Sequence, residues 1–198
     1  MQGKILYVVV PCYNEQEVLA ETSKRLREKF QTLIGSGKID EKSRIVFVND
    51  GSKDNTWKII EELHRQDNLF SGINLSRNRE HQNALLAGLM TVKDCADVAI
   101  SMDADLQDDI NAMDEMLDKY YGGCDVVYGV RSKRATDTFF KRFTAESFYK
   151  MMNAMGANTV YNHADYRLMS KRALEGLAEF KEVNLFLRGM VPMKLQDR

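Results

Sequence analysis

The chain has 198 residues, with 28 Lys and Arg against 29 Asp and Glu and a 44% hydrophobic fraction. That length supports one full core, the composition is globular and not disordered, and the near-neutral balance supplies no basic field for nucleic acid. No stretch nears the roughly 20 apolar residues of a membrane-spanning helix, and Cys12, Cys95 and Cys124, widely spaced and without a CxxC pair, read as reduced thiols in a cytoplasmic setting.

Taken in order, Ile5 to Val10 predicts a buried strand, too short for a signal-peptide core, closed by Pro11 and a Cys12-Tyr13-Asn14-Glu15 turn. A helix is expected from about Gln16 to Phe30, with Val18, Leu19, Leu26 and Phe30 facing the core, and Gly35-Ser36-Gly37 ends it. Arg44 to Val48 predicts a second strand, followed by an Asn49-Asp50-Gly51-Ser52 turn. Asp54 or Asn55 can cap the next helix, whose apolar face carries Trp57, Ile60 and Leu63. A short strand over Ser71 to Leu75, a polar loop over Ser76 to Glu80 and a helix over His81 to Val92 follow. Val98 to Met102 predicts a fourth strand, then come a helix over Asp109 to Tyr121, a strand over Val126 to Gly129, a loop around Asp165 and a helix from Lys171 to Phe180. Strands alternating with helices of this size predict an α/β fold with a mostly parallel sheet and right-handed crossovers.

The chemistry gathers behind the strands. Asp103 and Asp105 stand one residue apart after a β-branched apolar run. In a parallel sheet they emerge at the edge where open α/β folds bind ligands, together with Glu15 and Asp50 from the first two strands. Like charges so close call for a cation or a proton between them, and hard divalent ions take carboxylate oxygens while sharing substrate phosphates. A metal–diphosphate site is the expectation. No GxGxxG or GxxxxGK[ST] occurs, so neither the dinucleotide fingerprint nor a P-loop is present. A phosphatase of the haloacid-dehalogenase type should carry its Asp pair near the N-terminus, and a nucleotidyltransferase should begin with a Gly-rich basic loop; this chain does neither.

Seven segments in order carry a resemblance. They are Val10-Pro11-Cys12-Tyr13-Asn14-Glu15, Val48 to Thr56, Leu75-Ser76-Arg77-Asn78-Arg79-Glu80-His81-Gln82, Met102-Asp103-Ala104-Asp105-Leu106-Gln107-Asp108, Asp125 to Arg131, Ala164-Asp165-Tyr166-Arg167-Leu168-Met169 and Phe186-Leu187-Arg188-Gly189. Together the chain resembles the family-two inverting nucleotide-sugar glycosyltransferases, closest to the polyprenyl-phosphate, dolichyl-phosphate mannose synthase-like branch. The resemblance implies a GT-A fold, a nucleotide-diphosphate sugar as donor, and Mg²⁺ or Mn²⁺. It places Pro11, Tyr13, Glu15 and Asp50 around the nucleotide and Asp103 and Ala104 along the donor. Asp105 and Gln107 fall at the metal and diphosphate, Arg131 at the acceptor phosphate and Asp165 near the reacting carbon. Residues 1–130 would form the nucleotide-sugar half and residues 131–198 the acceptor half of one catalytic domain. Ala164-Asp165-Tyr166-Arg167 stands where the family often has Gly-Asp-Phe-Arg. Lipid-linked members commonly carry membrane helices after the catalytic part, so the chain is read as truncated at its C-terminus, with a soluble or peripheral relative as the alternative.

The acceptor implied is a polyprenyl phosphate, with a saccharide hydroxyl in cell-surface polysaccharide synthesis, or donor binding without turnover, as the alternatives. A lipid phosphate is already anionic near neutral pH, its second pKa being about 6, and needs cations for positioning; Arg131, Lys133 and Arg134 would supply them. A hydroxyl acceptor needs a general base, for which Asp165 is the candidate, with an ion pair to Arg167 or a turn position as the alternative. The cationic, aromatic stretch 139–155 suits packing on the sheet or a homodimer seam better than a lipid surface, although contact with the inner face of the membrane stays open. His81, at a helix start behind the third strand, can approach the donor, whereas Trp57 belongs to the core and His64 to a helix surface.

Overall fold

Valine-rich segments set the centre of the sheet. The computed structural model describes residues 3–130 and 163–179. In chain order the elements are β1 (Leu6–Cys12), α1 (Leu19–Gly35), β2 (Arg44–Asn49), α2 (Thr56–Gln66), β3 (Phe70–Asn74), α3 (His81–Val92), β4 (Val98–Ser101), α4 (Ala112–Tyr121), β5 (Val126–Val130), β6 (His163–Ser170) and α5 (Lys171–Ala178). The six strands form one sheet in the order β3-β2-β1-β4-β6-β5. β1 pairs in parallel with β2 and β4, and β2 with β3; β6 runs antiparallel between β4 and β5. The C-terminal ends of β1 to β4 therefore share one edge.

Side chains alternate across this sheet into two cores. Leu6, Val8, Val10 and Cys12 of β1 join Leu19, Leu26, Phe30 and Leu33 of α1, Ile60 of α2 and Met113, Met116 and Leu117 of α4 on one face. Val9 joins Val46, Val48, Leu85 and Leu89 of α3 and Leu174 and Leu177 of α5 on the other. Trp57 packs at the margin of the first core, as the sequence predicts, with its ring over Gly72. Gly88 brings α3 onto β1 and β2 so closely that a Cβ there would lie 2.4 Å from Val9 Cγ1.

The mostly parallel α/β reading stands, with two corrections. The segment around Asp165 is a strand, β6, and not a loop. Its Arg167 is only 1% exposed and pairs in register with Ser101 and Tyr128, so a charged residue lies inside the sheet. β1 also runs through Pro11 to Cys12 where the sequence predicts an end at Val10. The Val9 carbonyl accepts from Met102 N on the β4 side, and the Cys12 carbonyl accepts from Asp50 N on the β2 side. By alternation Pro11 faces β4, whose pairing with β1 has already stopped at Val9 and Ser101. Its missing N–H costs the ladder nothing.

Candidate active site

Two loops at this edge are laced together by main-chain donors. After β1, Asn14 N donates to Ser52 Oγ (3.0 Å), Glu15 N to Thr56 Oγ1 (2.8 Å) and Gln16 N to Asp54 Oδ2 (3.2 Å). In return Lys53 N donates to Asn14 Oδ1 (2.8 Å) and Asn55 N to Gln16 Oε1 (3.0 Å). Asp54 Oδ1 also accepts from Thr56 N, while Asn55, the N-cap of α2, gives no side-chain cap bond. This lacing holds residues 14–16 out of helix, so α1 begins at Leu19 and not at Gln16. Tyr13 is exposed and Glu15 half-buried above the end of β1.

Asp50 is buried at 3% exposure, and its Oδ1 accepts from Arg79 N at 2.6 Å. The carboxylate thus ties the turn after β2 to the 76–80 loop. Gly51, at φ 67, lies under the same loop: a Cβ there would stand 2.5 Å from Asn78 N. That contact and that φ both require glycine.

The segment after β4 is fixed from two sides. Thr22 Oγ1, fully buried on α1, lies 2.7 Å from the Ala104 carbonyl and donates to it or to Val18 O at 3.0 Å. Asp103 N donates to Oδ2 of the buried Asp108 at 3.3 Å. Leu106 then adopts φ 59, and Gln107 N donates to Asp105 Oδ1 at 3.1 Å. That bond occupies one oxygen of the Asp105 side chain, which is exposed. Ala104 is buried, its carbonyl turned onto α1. Across the crevice His81, the first residue of α3, places Nε2 3.5 Å from Asp103 Oδ1.

Strain follows the same edge. The non-glycine residues with positive φ among the described residues are Asn14, Glu80 and Leu106, in the loops after β1, β3 and β4. Such residues cluster at ligand sites, where surrounding structure over-determines them.

The field is acidic. Burial raises the Glu15 carboxyl above its ordinary value, and the charges of Asp105, Asp54 and Asp103 raise it further. Among the described residues no three His, Cys, Asp or Glu side chains close around one point as a ready-made metal cage. This donor set still fits Mg²⁺ or Mn²⁺, which are commonly held by one or two carboxylates with the remaining positions filled by substrate phosphates and water. A cavity of about 600 Å³ borders the crevice on the α1 side, lined by Arg25, Lys29, Leu106, Gln107, Asp108 and Asp109 among others. It reaches Gln107 but none of Glu15, Asp50 or Asp105.

Of the residues singled out in the sequence, Tyr13, Glu15, Asp50, Asp103, Ala104, Asp105 and Gln107 lie on the loops of this edge, and Pro11 lies within β1, just before the strand reaches that edge. Arg131 and the 139–155 stretch lie outside the described residues, and for Asp165 only the backbone, within β6, is described. Thr22 escaped the sequence reading, because a threonine in mid-helix carries no pattern of its own, and Asp108, although inside the Met102–Asp108 segment, received no role there.

The family model described as glycosyl transferase family 2 matches residues 7–177. The chain belongs to glycosyl transferase family 2. Among curated members it is 53% identical over 189 residues to the uncharacterized glycosyltransferase YkoT of Bacillus subtilis, covering 96% of this chain and 56% of that protein. It is 39% identical over 185 residues to the bactoprenol glucosyl transferase of Shigella phage SfV, covering 93% and 58%. The chain thus spans little more than half the length of these relatives. Two solved structures share its fold. Staphylococcus aureus TarS has a TM-score of 0.57 at 16% identity, over 96% of this chain and 54% of that one. Mycobacterium tuberculosis glucosyl-3-phosphoglycerate synthase has 0.60 at 15%, over 88% and 59%. The family-two fold is therefore GT-A, as the sequence predicts.

Proposed function

We propose that this family-two domain transfers a hexose, with inversion, from a nucleotide-diphosphate sugar to a polyprenyl phosphate. The convergence of Glu15, Asp103 and Asp105 at the end of the parallel strands carries the reading, because sugar–diphosphate cleavage leaves new negative charge that such a crevice binds only with a cation. Two likenesses support it: relatives named bactoprenol glucosyl transferase at 39% identity, and a GT-A neighbour crystallised with Mn²⁺ and UDP-glucose. Bound Mg²⁺ or Mn²⁺ would act as a Lewis acid on the departing diphosphate, and Asp105 and Gln107 are the side chains that would hold it.

The remaining roles belong to the chain's own groups. Pro11, Tyr13, Glu15 and Asp50 would surround the nucleotide, with Asp50 also fixing the 76–80 loop through Arg79. Asp103 and Ala104 would lie along the donor, and the hold of Thr22 on Ala104 keeps that stretch from shifting. Arg131 would orient an acceptor phosphate that needs no deprotonation, and Asp165 would stand near the reacting carbon, serving as base if the acceptor were a hydroxyl. In this reading residues 1–130 serve the donor and 131–198 the acceptor, at the inner face of the membrane where a polyprenyl phosphate would be met. No helix among the described residues is long and apolar enough to cross a membrane.

Nucleoside diphosphate release tests the proposal. The chain is incubated with UDP- and GDP-sugars and Mn²⁺, with a polyprenyl phosphate in detergent or with free saccharides. Release that depends on both Mn²⁺ and the polyprenyl phosphate is expected. Release driven by saccharides alone would replace the lipid acceptor with a hydroxyl acceptor, and inorganic phosphate as the product would refute sugar transfer.

A further inference from the structure

His81, expected from the sequence to approach the donor, has no defined role in the proposed function, yet the loop before it fixes its position. Glu80 sits at φ 72, ψ 151, a backbone region that residues with a Cβ seldom occupy, and α3 starts on the next residue. Three bonds hold that turn: Glu80 N donates to Asn78 Oδ1 (3.0 Å), Arg79 N to Asp50 Oδ1 (2.6 Å) and Asn83 Nδ2 to the Arg79 carbonyl (2.8 Å). The imidazole then reaches the β4 loop, 3.5 Å from Asp103 Oδ1, with the two side chains 42% and 31% exposed. α3 packs on one face of the sheet and α1 on the other. His81 therefore approaches Asp103 from the α3 face, while Thr22 holds Ala104 from the α1 face.

We propose that His81 and Asp103 form the wall that reads a hydroxyl of the transferred hexose, making His81 a specificity-determining residue. The inference rests on the nucleotide-sugar reading above and deepens it. A sugar hydroxyl both donates and accepts, and this wall offers a carboxylate to take its hydrogen and a ring nitrogen to meet its lone pair. Both side chains are partly exposed, while Asp103 Oδ1 itself is buried beside the ring, so the ring and the other carboxylate oxygen are the groups that would meet one hydroxyl or two neighbouring ones. An epimer with that hydroxyl on the other side of the ring cannot make these bonds, and a polar contact that one substrate makes and the other does not is what discriminates between them. A nucleoside diphosphate without its sugar makes no such contact, so the effect belongs to the difference between the two ligands.

Calorimetric titration of the purified chain, H81A and H81Q in Mn²⁺ with UDP, UDP-glucose and UDP-galactose, and with GDP and GDP-mannose, tests this, with thermal unfolding as the folding control. H81A should bind the bare diphosphate much as the parent does. It should bind the preferred nucleotide sugar about tenfold more weakly, the worth of one hydrogen bond, and discriminate less between epimers. H81Q, which returns an N–H donor at similar reach, should recover part of the loss. Equal weakening of diphosphate and sugar conjugate would place the ring against the nucleotide and overturn the inference, as would unchanged affinity for both. A parent chain that binds diphosphates but no better when they carry a sugar overturns it too. A parent chain that binds no nucleotide at all contradicts the donor reading itself, and the inference falls with it.

Discussion

Replacing Glu80 with glycine should stabilise the protein, although it removes a charged side chain from the start of a helix. At φ 72, ψ 151 a residue bearing a Cβ carries a cost of order 1–3 kcal/mol. Glycine adopts the region freely but loses more conformational freedom on folding, about 0.5–1 kcal/mol. The Glu80 side chain is exposed and makes no cap hydrogen bond, so only its charge at the α3 N-terminus is forfeited, a few tenths of a kcal/mol when exposed and screened. The balance is a gain of about 1 kcal/mol, or roughly 2–4 °C in melting temperature for a chain of this size. Thermal unfolding by circular dichroism of the parent, E80G and E80A reads it. E80A keeps the Cβ and should show no comparable gain. An E80G no more stable than the parent, or an E80A as stabilised as E80G, would refute the claim that the backbone at position 80 is strained.

Three further outcomes follow from the same loops. Gly51→Ala adds a Cβ 2.5 Å from Asn78 N at φ 67 and should cost at least about 2 kcal/mol; an unaltered melting temperature would contradict the packing of the 76–80 loop. Thr22→Val leaves the buried Ala104 carbonyl without its hydroxyl donor, for a loss of about 1–3 kcal/mol, and Thr22→Ser should restore most of it; equal stability of the Val and Ser variants would argue against that bond. Glu15→Gln should stabilise the metal-free chain, and the gain should depend on pH. The folded-state pKa of Glu15 is raised, so the unfolded chain ionises first and stability falls as pH rises from the ordinary glutamate value to the folded one. The variant should match the parent below that window and exceed it above, in buffer with chelator; a gain independent of pH would sink the electrostatic reading.

Much of this was legible because local and global signals agreed. The β-branched run before Asp103 and the turn residues after Val48 announced both the strands and the edge on which their acids emerge. Trp57 and Ile60 gave away the buried face of α2. Legibility failed where one tertiary contact overrode a local rule. Arg167 disguised β6, since a charge in mid-segment argues against a central strand until neighbouring strands bury it. Pro11 seemed to close β1 because the sequence does not show that β4 stops first. The start of α1 moved because residues 14–16 bond to the 52–56 loop, a pairing invisible along the chain. In the site, the acids were readable from their spacing, whereas the grip of Thr22 and Asp108 on the 103–104 backbone is a tertiary contact that the segment itself does not announce.

The central claim is that the Asp105 carboxylate holds a divalent cation against the diphosphate of an activated sugar. Its most direct test is titration of UDP and UDP-glucose into the parent and Asp105→Asn, with Mn²⁺ and with chelator. The parent should bind far more tightly with Mn²⁺, and the variant, with an unchanged melting temperature because no apolar core is touched, should lose that Mn²⁺-dependent increment. A variant that keeps the full increment would contradict the account.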